Sequence, residues 1–438
     1  MPTEPSLVCR IIATGISMAL HDRSETDFAS ILNKYLSPSR AIQSPEFLKG
    51  RDKHLVDIRK ALYAPGRQVF IHGYRGVGKT SLAQTAAFQF QGSNNSPIIL
   101  SCAGSGFYDV IHDFASKVFP SDPREIKRIT QSGVNLSVRH LSADMRATVE
   151  TGKIPRPQTV NEAVDLVAFI AGRQHEPDIV IMDEFDRLSN KDDHARFADF
   201  VKEISAQNIS TKFIFCGIGE TLEEFFGTHG SVFRYFHTIK LDRLDFEPRF
   251  EIITTAAEPL DVVIGQTTII RIARISDGFP HFIHLLTEKL LWAVYEDQAS
   301  DGRANTEHFI RAIKDATEVL EPEIKVPYEK ATRKYSNKCE EILWAVADNH
   351  QLQRPTKEIY ASYQRIMKKR PADKGVSKEQ FYSWMNNLKT QPYGEILVGS
   401  GSGWYEFRDK IVRAYARLRA DQEGIELDID HPLQKRKL

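Results

Sequence analysis

Apolar residues fall into three successive rhythms along the chain. As far as residue 241, short apolar runs recur, separated by longer segments whose apolar positions return every three or four residues. The runs at 69–71, 97–101, 179–182 and 212–216, with a further short segment at 237–241, read as five strands. Unbroken apolar runs suit parallel strands covered on both faces. Their alternation with helical segments predicts an α/β architecture, a parallel sheet with helices on both sides. From Phe246 to about Pro322 the rhythm is helical throughout, in "RFEIITTAAEPL", "TIIRIARIS", "FIHLLTEKLLWAVYE" and "FIRAIKDATEVL".

The third rhythm starts after Pro327. "CEEILWAVADN", "RPTKEIYASYQRIMKKR" and "VSKEQFYSWMNNLKT" are amphipathic helices, the second with Pro355 near its start. The third is opened by Ser377, with Glu379 and Gln380 in its first turn, a capping signal. "EILVGSGSGWYEF" reads as two strands joined by a glycine–serine turn, and "DKIVRAYARLRAD" as a closing helix. Three helices, a hairpin and a helix predict a winged helix-turn-helix. Between the second and third strands lies a long connection, 121–158. Within it "GVNLSVRHLSADMRATVETG" alternates polar and apolar residues, which suggests a hairpin.

Composition narrows this picture only a little. The 438 residues are 41% hydrophobic and 26% charged, a globular balance with room for two to four domains. Lys plus Arg and Asp plus Glu are both 58, so bulk charge favours no partner, and electrostatic arguments must be local. Cys9, Cys102, Cys216 and Cys339 are scattered and form neither a metal-type pair nor a disulfide framework, which points to a reducing cytoplasm. The apolar stretch 7–20 contains Arg10 and is too short and wrongly flanked for a membrane span or signal peptide.

Candidate chemistry begins where the first strand breaks into glycines. Gly73, Tyr74, Arg75, Gly76, Val77, Gly78, Lys79 and Thr80, followed by Ser81 opening a helix, fit the G-x-x-x-x-G-K-[ST] pattern in its strand–loop–helix setting. Glycines let backbone N–H groups surround phosphates, and the helix N-terminus adds its dipole. Lys79 is the candidate cation for the β- and γ-phosphates, and the Thr80 hydroxyl a candidate Mg²⁺ ligand. "IVIMDEFDRL" supplies an acidic partner: Asp183 as a Mg²⁺ ligand through water, and Glu184 as the residue that activates the attacking water. Asp186 reads as surface or structural. The adjacent acidic pair favours an ATPase over a Ras-like GTPase, in which a glutamine orients the water.

With these residues the chain resembles the AAA+ ATPases, closest to the origin-recognition and initiator clade and its bacterial relatives. "SPEFLKGRDKHLVDIRKAL" is similar to the clade's segment before the P-loop, whose "GR" turn lies beside the adenine, implying that Phe47, Leu48, Gly50 and Arg51 lie near the base. "GSVFRYF" resembles the arginine-finger segment, with Arg234 in the finger position, acting in trans on a neighbouring subunit; the other reading is a surface arginine. "SDGFPHFIHLL" resembles the lid motif that carries a second-sensor arginine, and His281 stands at that position. At the first sensor, Gly217-Ile218-Gly219, then Glu220 and Thr221, replace the usual polar residue. These departures bear on the rate of hydrolysis and not on binding. The implied organisation is an N-terminal extension over 1–43, an AAA+ P-loop core over 44–244, a helical lid over 245–327, a winged helix over 328–425 and a tail over 426–438.

The resemblance implies ATP and Mg²⁺, self-association with ATP sites between subunits, and DNA binding through 355–405. From Lys330 onward there are 21 Lys and Arg against 14 Asp and Glu. Candidate DNA contacts are Lys378, Gln380, Ser383, Asn386, Asn387 and Lys389, with Arg365, Lys368, Lys369 and Arg370. The alternative is a winged helix that packs against protein, as in STAND signalling ATPases, and gates a separate effector protein. The insert 121–158 is basic through Arg124, Lys127, Arg128, Arg139, Arg146, Lys153 and Arg156. It reads equally as a DNA-facing element or a surface insertion. No nuclease, protease or reverse-transcriptase motif is visible, so an effector would be another chain. The resemblance suggests antiphage (antiviral) defence or a mobile element as the setting, with no membrane involved.

Overall fold

The computed structural model describes residues 20–91, 96–120, 122–131, 141–172, 179–219, 222–227, 230–333, 338–370, 375–399, 401 and 403–427. The chain begins with α1 (Glu25–Tyr35) and α2 (Asp52–Tyr63), followed by β1 (Gln68–His72) and α3 (Lys79–Gln91). Next come β2 (Ile98–Ser101), α4 (Phe107–Val118), α5 (Pro123–Gln131), α6 (Ala143–Glu150) and α7 (Val160–Ala171). The α/β part closes with β3 (Ile179–Asp183), α8 (Lys191–Ala206), β4 (Lys212–Gly217), the short α9 (Glu223–Phe226) and β5 (Phe236–Lys240). The five strands form one parallel sheet in the order β2-β3-β4-β1-β5.

Alternate residues of these strands feed two different cores. Val69, Ile71, Ile179, Ile181, Ile214 and Cys216 face one side, toward α2 and α3. Phe70, Val180, Met182, Phe213 and Phe215 face the other, where Phe107, Phe185, Phe197, Phe200, Phe225 and Phe226 complete an aromatic layer. The period-2 geometry of a strand explains the unbroken apolar runs of β1, β3 and β4, whereas the edge strand β5 exposes Thr238 and Lys240.

The lid is α10 (Phe246–Ala257), α11 (Gln266–Ile275), α12 (Pro280–Glu296) and α13 (Thr306–Val319). It is followed by α14 (Pro322–Arg333), α15 (Lys338–Ala347), β6 (Arg354–Pro355), α16 (Thr356–Lys368), α17 (Lys378–Asn387), β7 (Leu397–Gly399), β8 (Trp404–Phe407) and α18 (Val412–Gln422). The three C-terminal strands form an antiparallel sheet in the order β6-β8-β7. Helices, hairpin and closing helix follow the predicted order. The two-residue β6 is too short to leave a periodic signal.

Two differences from the sequence reading, and one feature the sequence does not indicate, have physical causes. The suggested hairpin is replaced over 143–150 by α6; Ser142 accepts the Met145 N–H as its N-cap, and Met145 and Val149 are buried at i, i+4 spacing. The part of that segment at 132–140 lies outside the described residues. Pro327 opens no new unit but sits inside α14, where buried Ile324, Tyr328 and Ala331 hold the helix on its support. The N-terminal extension, whose packing the sequence does not indicate, joins the core over its described part. Phe28 of α1 stacks on Tyr295 and meets the edge of Trp292 on α12, and Leu20, Leu32 and Leu36 join the core that runs through the lid to Leu427. Among the described residues no helix is long and apolar enough to cross a membrane.

Candidate functional site

The C-terminal ends of β1 and β3 open into a cleft of about 640 Å³. β4 lies between them in the sheet, so loops 103 positions apart in sequence become neighbours. Gly73 is required by a close approach, since a Cβ there would lie 2.3 Å from the Leu241 carbonyl oxygen. Gly76 and Gly78 have φ of 77° and 96°, left-handed backbone that favours glycine. The Lys79 ammonium donates to the Gly73 and Tyr74 carbonyls at 3.1 and 2.9 Å. Burial lowers its pKa, against the neighbouring charges of Asp186, Asp183 and Asp409. Val77 turns its side chain fully into the core.

Thr80 Oγ1 donates to Asp183 Oδ2 at 2.8 Å, and the Glu184 N–H donates to Asp183 Oδ1 at 2.9 Å. Burial raises the Asp183 pKa, opposed by those two hydrogen bonds and by Lys79. Glu184 has φ of 54°, a left-handed conformation at a non-glycine residue. Both its oxygens are engaged: Ser101 Oγ donates to Oε2 at 2.9 Å, and Arg187 donates to Oε1 at 2.7 Å. Asp186 accepts the Ile218 N–H at 2.7 Å and so fixes the end of β4. At that end Ile218, not a polar side chain, lines the cleft; Glu220 and Thr221 lie outside the described residues.

The opposite wall is the start of α12, including the expected His281, together with residues 37–42, which the sequence gives no reason to place in the site. His281 donates from Nδ1 to the Pro38 carbonyl at 3.0 Å, and His284 Nδ1 accepts the Ser37 N–H at 3.3 Å. Ser81 Oγ accepts the Ile42 N–H, and Thr85 Oγ1 donates to the Ile42 carbonyl, at 3.1 and 2.9 Å. The strap thus joins the lid to α3 across the cleft. Burial, aided by His281, depresses the His284 pKa to about 4, so the imidazole is neutral. The signal that could have found this strap is the spacing of small and polar residues in "SPSRAIQ", which carries no recognisable motif.

Three residues expected beside the base lie elsewhere. Arg51 does not line the cleft; it is buried behind the P-loop and donates to the Val77 and Asp242 carbonyls at 3.1 and 2.6 Å. Burial pulls its pKa down to about 10, against Asp242 and Asp245. Leu48 is likewise core, and the Gly50 Cα packs on Pro248. Arg234 is exposed on the turn before β5, donating to Ser231 O at 3.1 Å, away from the cleft of its own chain.

The C-terminal candidates divide. Arg365 is paired with buried Asp348, and Arg370 lies 3.5 Å from Glu341 and 3.9 Å from Glu423. Gln380 closes the capping box of Ser377, and Asn386 accepts the Tyr405 hydroxyl at 3.2 Å. Arg408, Lys410 and Arg419 also have carboxylate partners within the chain. Several of these cations therefore already have carboxylate partners within the chain, while Lys368, Lys369 and Lys378 are exposed. In the insert, Arg156 pairs with Asp109.

Residues 69–228 match the family model described as "ATPase family associated with various cellular activities (AAA)". The fold is the P-loop AAA+ fold. Among solved structures, the chain is similar to the Walker-type ATPase of Pyrococcus abyssi, at 17% identity and a TM-score of 0.48, covering 87% of this chain and 99% of that one. It is similar also to Cdc6p of Pyrobaculum aerophilum (14%, TM-score 0.41, covering 90% and 97%). A third is the ORC2 protein of Aeropyrum pernix (12%, TM-score 0.45, covering 90% and 98%). At these identities and TM-scores the likeness carries nothing about activity. No curated protein matches the chain in sequence.

Proposed function

We propose that this chain is an ATP-driven AAA+ switch that hydrolyses ATP to ADP and phosphate and acts on DNA or a protein partner through its C-terminal winged helix. The observation that carries the reading is the contact between Thr80 and Asp183 at 2.8 Å, beside Lys79 in one cleft. A hydroxyl and a carboxylate are the donor set of a hard cation beside a phosphate cradle. Thr80 and Asp183 would hold Mg²⁺, which neutralises charge on phosphate oxygens. Lys79, released from the Gly73 and Tyr74 carbonyls, would pair with the phosphates, and the P-loop amides would surround them. Glu184 accepts the proton of the attacking water after it gives up its bonds to Ser101 or Arg187. Arg234, exposed and not lining its own cleft, would serve a neighbouring subunit's ATP. Lys79→Ala removes the fixed cation and should abolish nucleotide binding in calorimetry; tight ATP binding by that variant would refute the assignment.

A second reading is supported by the internal pairing of Arg365, Arg370 and Arg419. In it the winged helix packs on protein and gates a separate effector, as in STAND-like ATPases. ATP turnover measured with and without DNA separates the two, since only a DNA-engaging winged helix predicts stimulation.

A further inference from the structure

Three consecutive residues at the P-loop tip are covered by three consecutive residues of the C-terminal unit. The Arg75 guanidinium lies 3.8 Å from the Asp409 carboxylate. The Lys410 ammonium stands 5.8 Å from the centre of the Tyr74 ring. Ile411 Cδ1 sits so close to Gly76 that a Cβ there would come within 2.5 Å of it. These residues lead directly into α18. Farther along, Arg413 and Arg417 approach Asp277, in the loop before α12, at 3.5 and 3.3 Å. α12 opens with Pro280 and His281, on the far wall of the cleft. A single helix of the C-terminal unit, with the turn that leads into it, therefore reaches the P-loop directly and the lid wall through Asp277.

The two attachments differ in kind. Asp277 is 2% exposed and is also reached by Arg243 from the end of the α/β core. Burial alone would raise its pKa, and the guanidiniums of Arg413, Arg417, Arg243 and Arg249 outweigh burial and hold it below the usual carboxylate range. The Arg75–Asp409 pair is 40% and 34% exposed in its side chains, which makes it weak and exchangeable. Asp409 also lies in the field of Lys79. Burial raises its pKa, while Arg75, Lys410 and Lys79 all draw it down.

We propose that the 409–411 turn is a latch released by phosphate: Asp409 occupies Arg75 in the arrangement seen here, and the terminal phosphates of a nucleoside triphosphate compete with it for that cation. Arg75 is thereby assigned as a phosphate-contacting residue beside Lys79. A carboxylate this near the cradle repels an incoming polyphosphate through poorly screened space, so docking of the C-terminal unit and binding of ATP oppose each other. The buried Asp277 cluster remains fixed, and α18 moves about it. The proposal rests on the reading of the cleft as an ATP site.

The test uses the full chain. Asp409→Asn keeps the shape and removes the charge. Calorimetry is expected to show ATP affinity rising about fivefold, the order an exposed ion pair supports, with a smaller rise for ADP. Arg75→Ala is expected to weaken ATP binding and to cancel the gain when combined with Asp409→Asn. In the parent, hydrogen exchange of the amides at 409–416 is expected to quicken when a non-hydrolysable ATP analogue is added. That measurement needs no variant and decides alone if Asp409→Asn fails to fold. Affinity within twofold of the parent in Asp409→Asn, or unchanged exchange at 409–416, overturns the latch. The ATP site still stands in that case if Lys79→Ala loses binding. A parent that binds no nucleotide overturns both.

Discussion

Glu184 is the residue whose local geometry says most about the site. Its left-handed backbone is held because its own N–H caps Asp183, while Ser101 and Arg187 hold its carboxylate. Strain of this kind, on the order of 1–3 kcal/mol, persists where the surroundings over-determine it. Glu184→Gln preserves shape and cannot accept a proton. It should retain ATP while turnover falls by at least about a hundredfold, as removal of a general base does; a phosphate-release assay alongside nucleotide retention checks this. His284 gives a pH prediction. Its folded pKa of about 4 lies below the ordinary 6.5 because burial and His281 disfavour the charged ring. Between those values the unfolded chain binds more protons than the folded one. Stability is therefore fully present above about pH 6.5 and is lost as pH falls toward 4, by up to about 3 kcal/mol. Urea midpoints across that window should fall less steeply in His284→Gln than in the parent.

At the scale of elements, caps and burial decided what propensity left open. In α17 the Ser377 hydroxyl accepts the Gln380 N–H, and Gln380 returns the bond to the Ser377 N–H. Ser377→Ala should cost about 1 kcal/mol of stability. Denaturation of the variant should show that loss with nucleotide affinity unchanged, because the cap is remote from the cleft. The same device turned the suggested hairpin into α6. The alternation in "SVRHLSADMRATVE" is compatible with either period over so few residues, and the Ser142 cap with Met145 and Val149 on one buried face settles it. Strand positions needed no such arbitration, because only strands inside a doubly covered parallel sheet call for unbroken apolar runs.

At the scale of the whole molecule, Arg234 does not line the cleft of its own chain, so the proposed finger role requires a second copy. Arg234→Ala should bind ATP nearly normally yet hydrolyse it on the order of a thousandfold more slowly, the cost of a lost arginine finger. Mixing it with Glu184→Gln subunits should restore turnover, because those subunits supply Arg234 to sites whose Glu184 is intact. A mixture that stays inactive while both variants co-assemble with the parent would remove the trans role and leave Arg243 and Arg249 to be tested. Both of these bond within their own chain here, Arg243 to Asp277 and Arg249 to the Leu244 and Ala273 carbonyls.

The sequence by itself determined the parts of this protein whose signals are local. Four apolar runs and a fifth short strand segment, the glycine spacing ahead of Lys79 and Thr80, the acidic end at Asp183 and Glu184, and each of the C-terminal helices and the hairpin are written within short stretches of chain. Backbone sterics and strand or helix periodicity act over that range. What only the tertiary structure decided depends on residues brought together from far apart. Residues 37–42 became a wall of the cleft, Arg51 became a brace behind the P-loop, and Arg365 and Arg370 were taken up by Asp348 and Glu341. Asp277 drew in arginines from α18 and the end of the core, and Asp409 met Arg75 across 334 positions of chain. A charged side chain carries no mark of its partner in the sequence around it. Desolvation and pairing select that partner only after the core has fixed where each element lies.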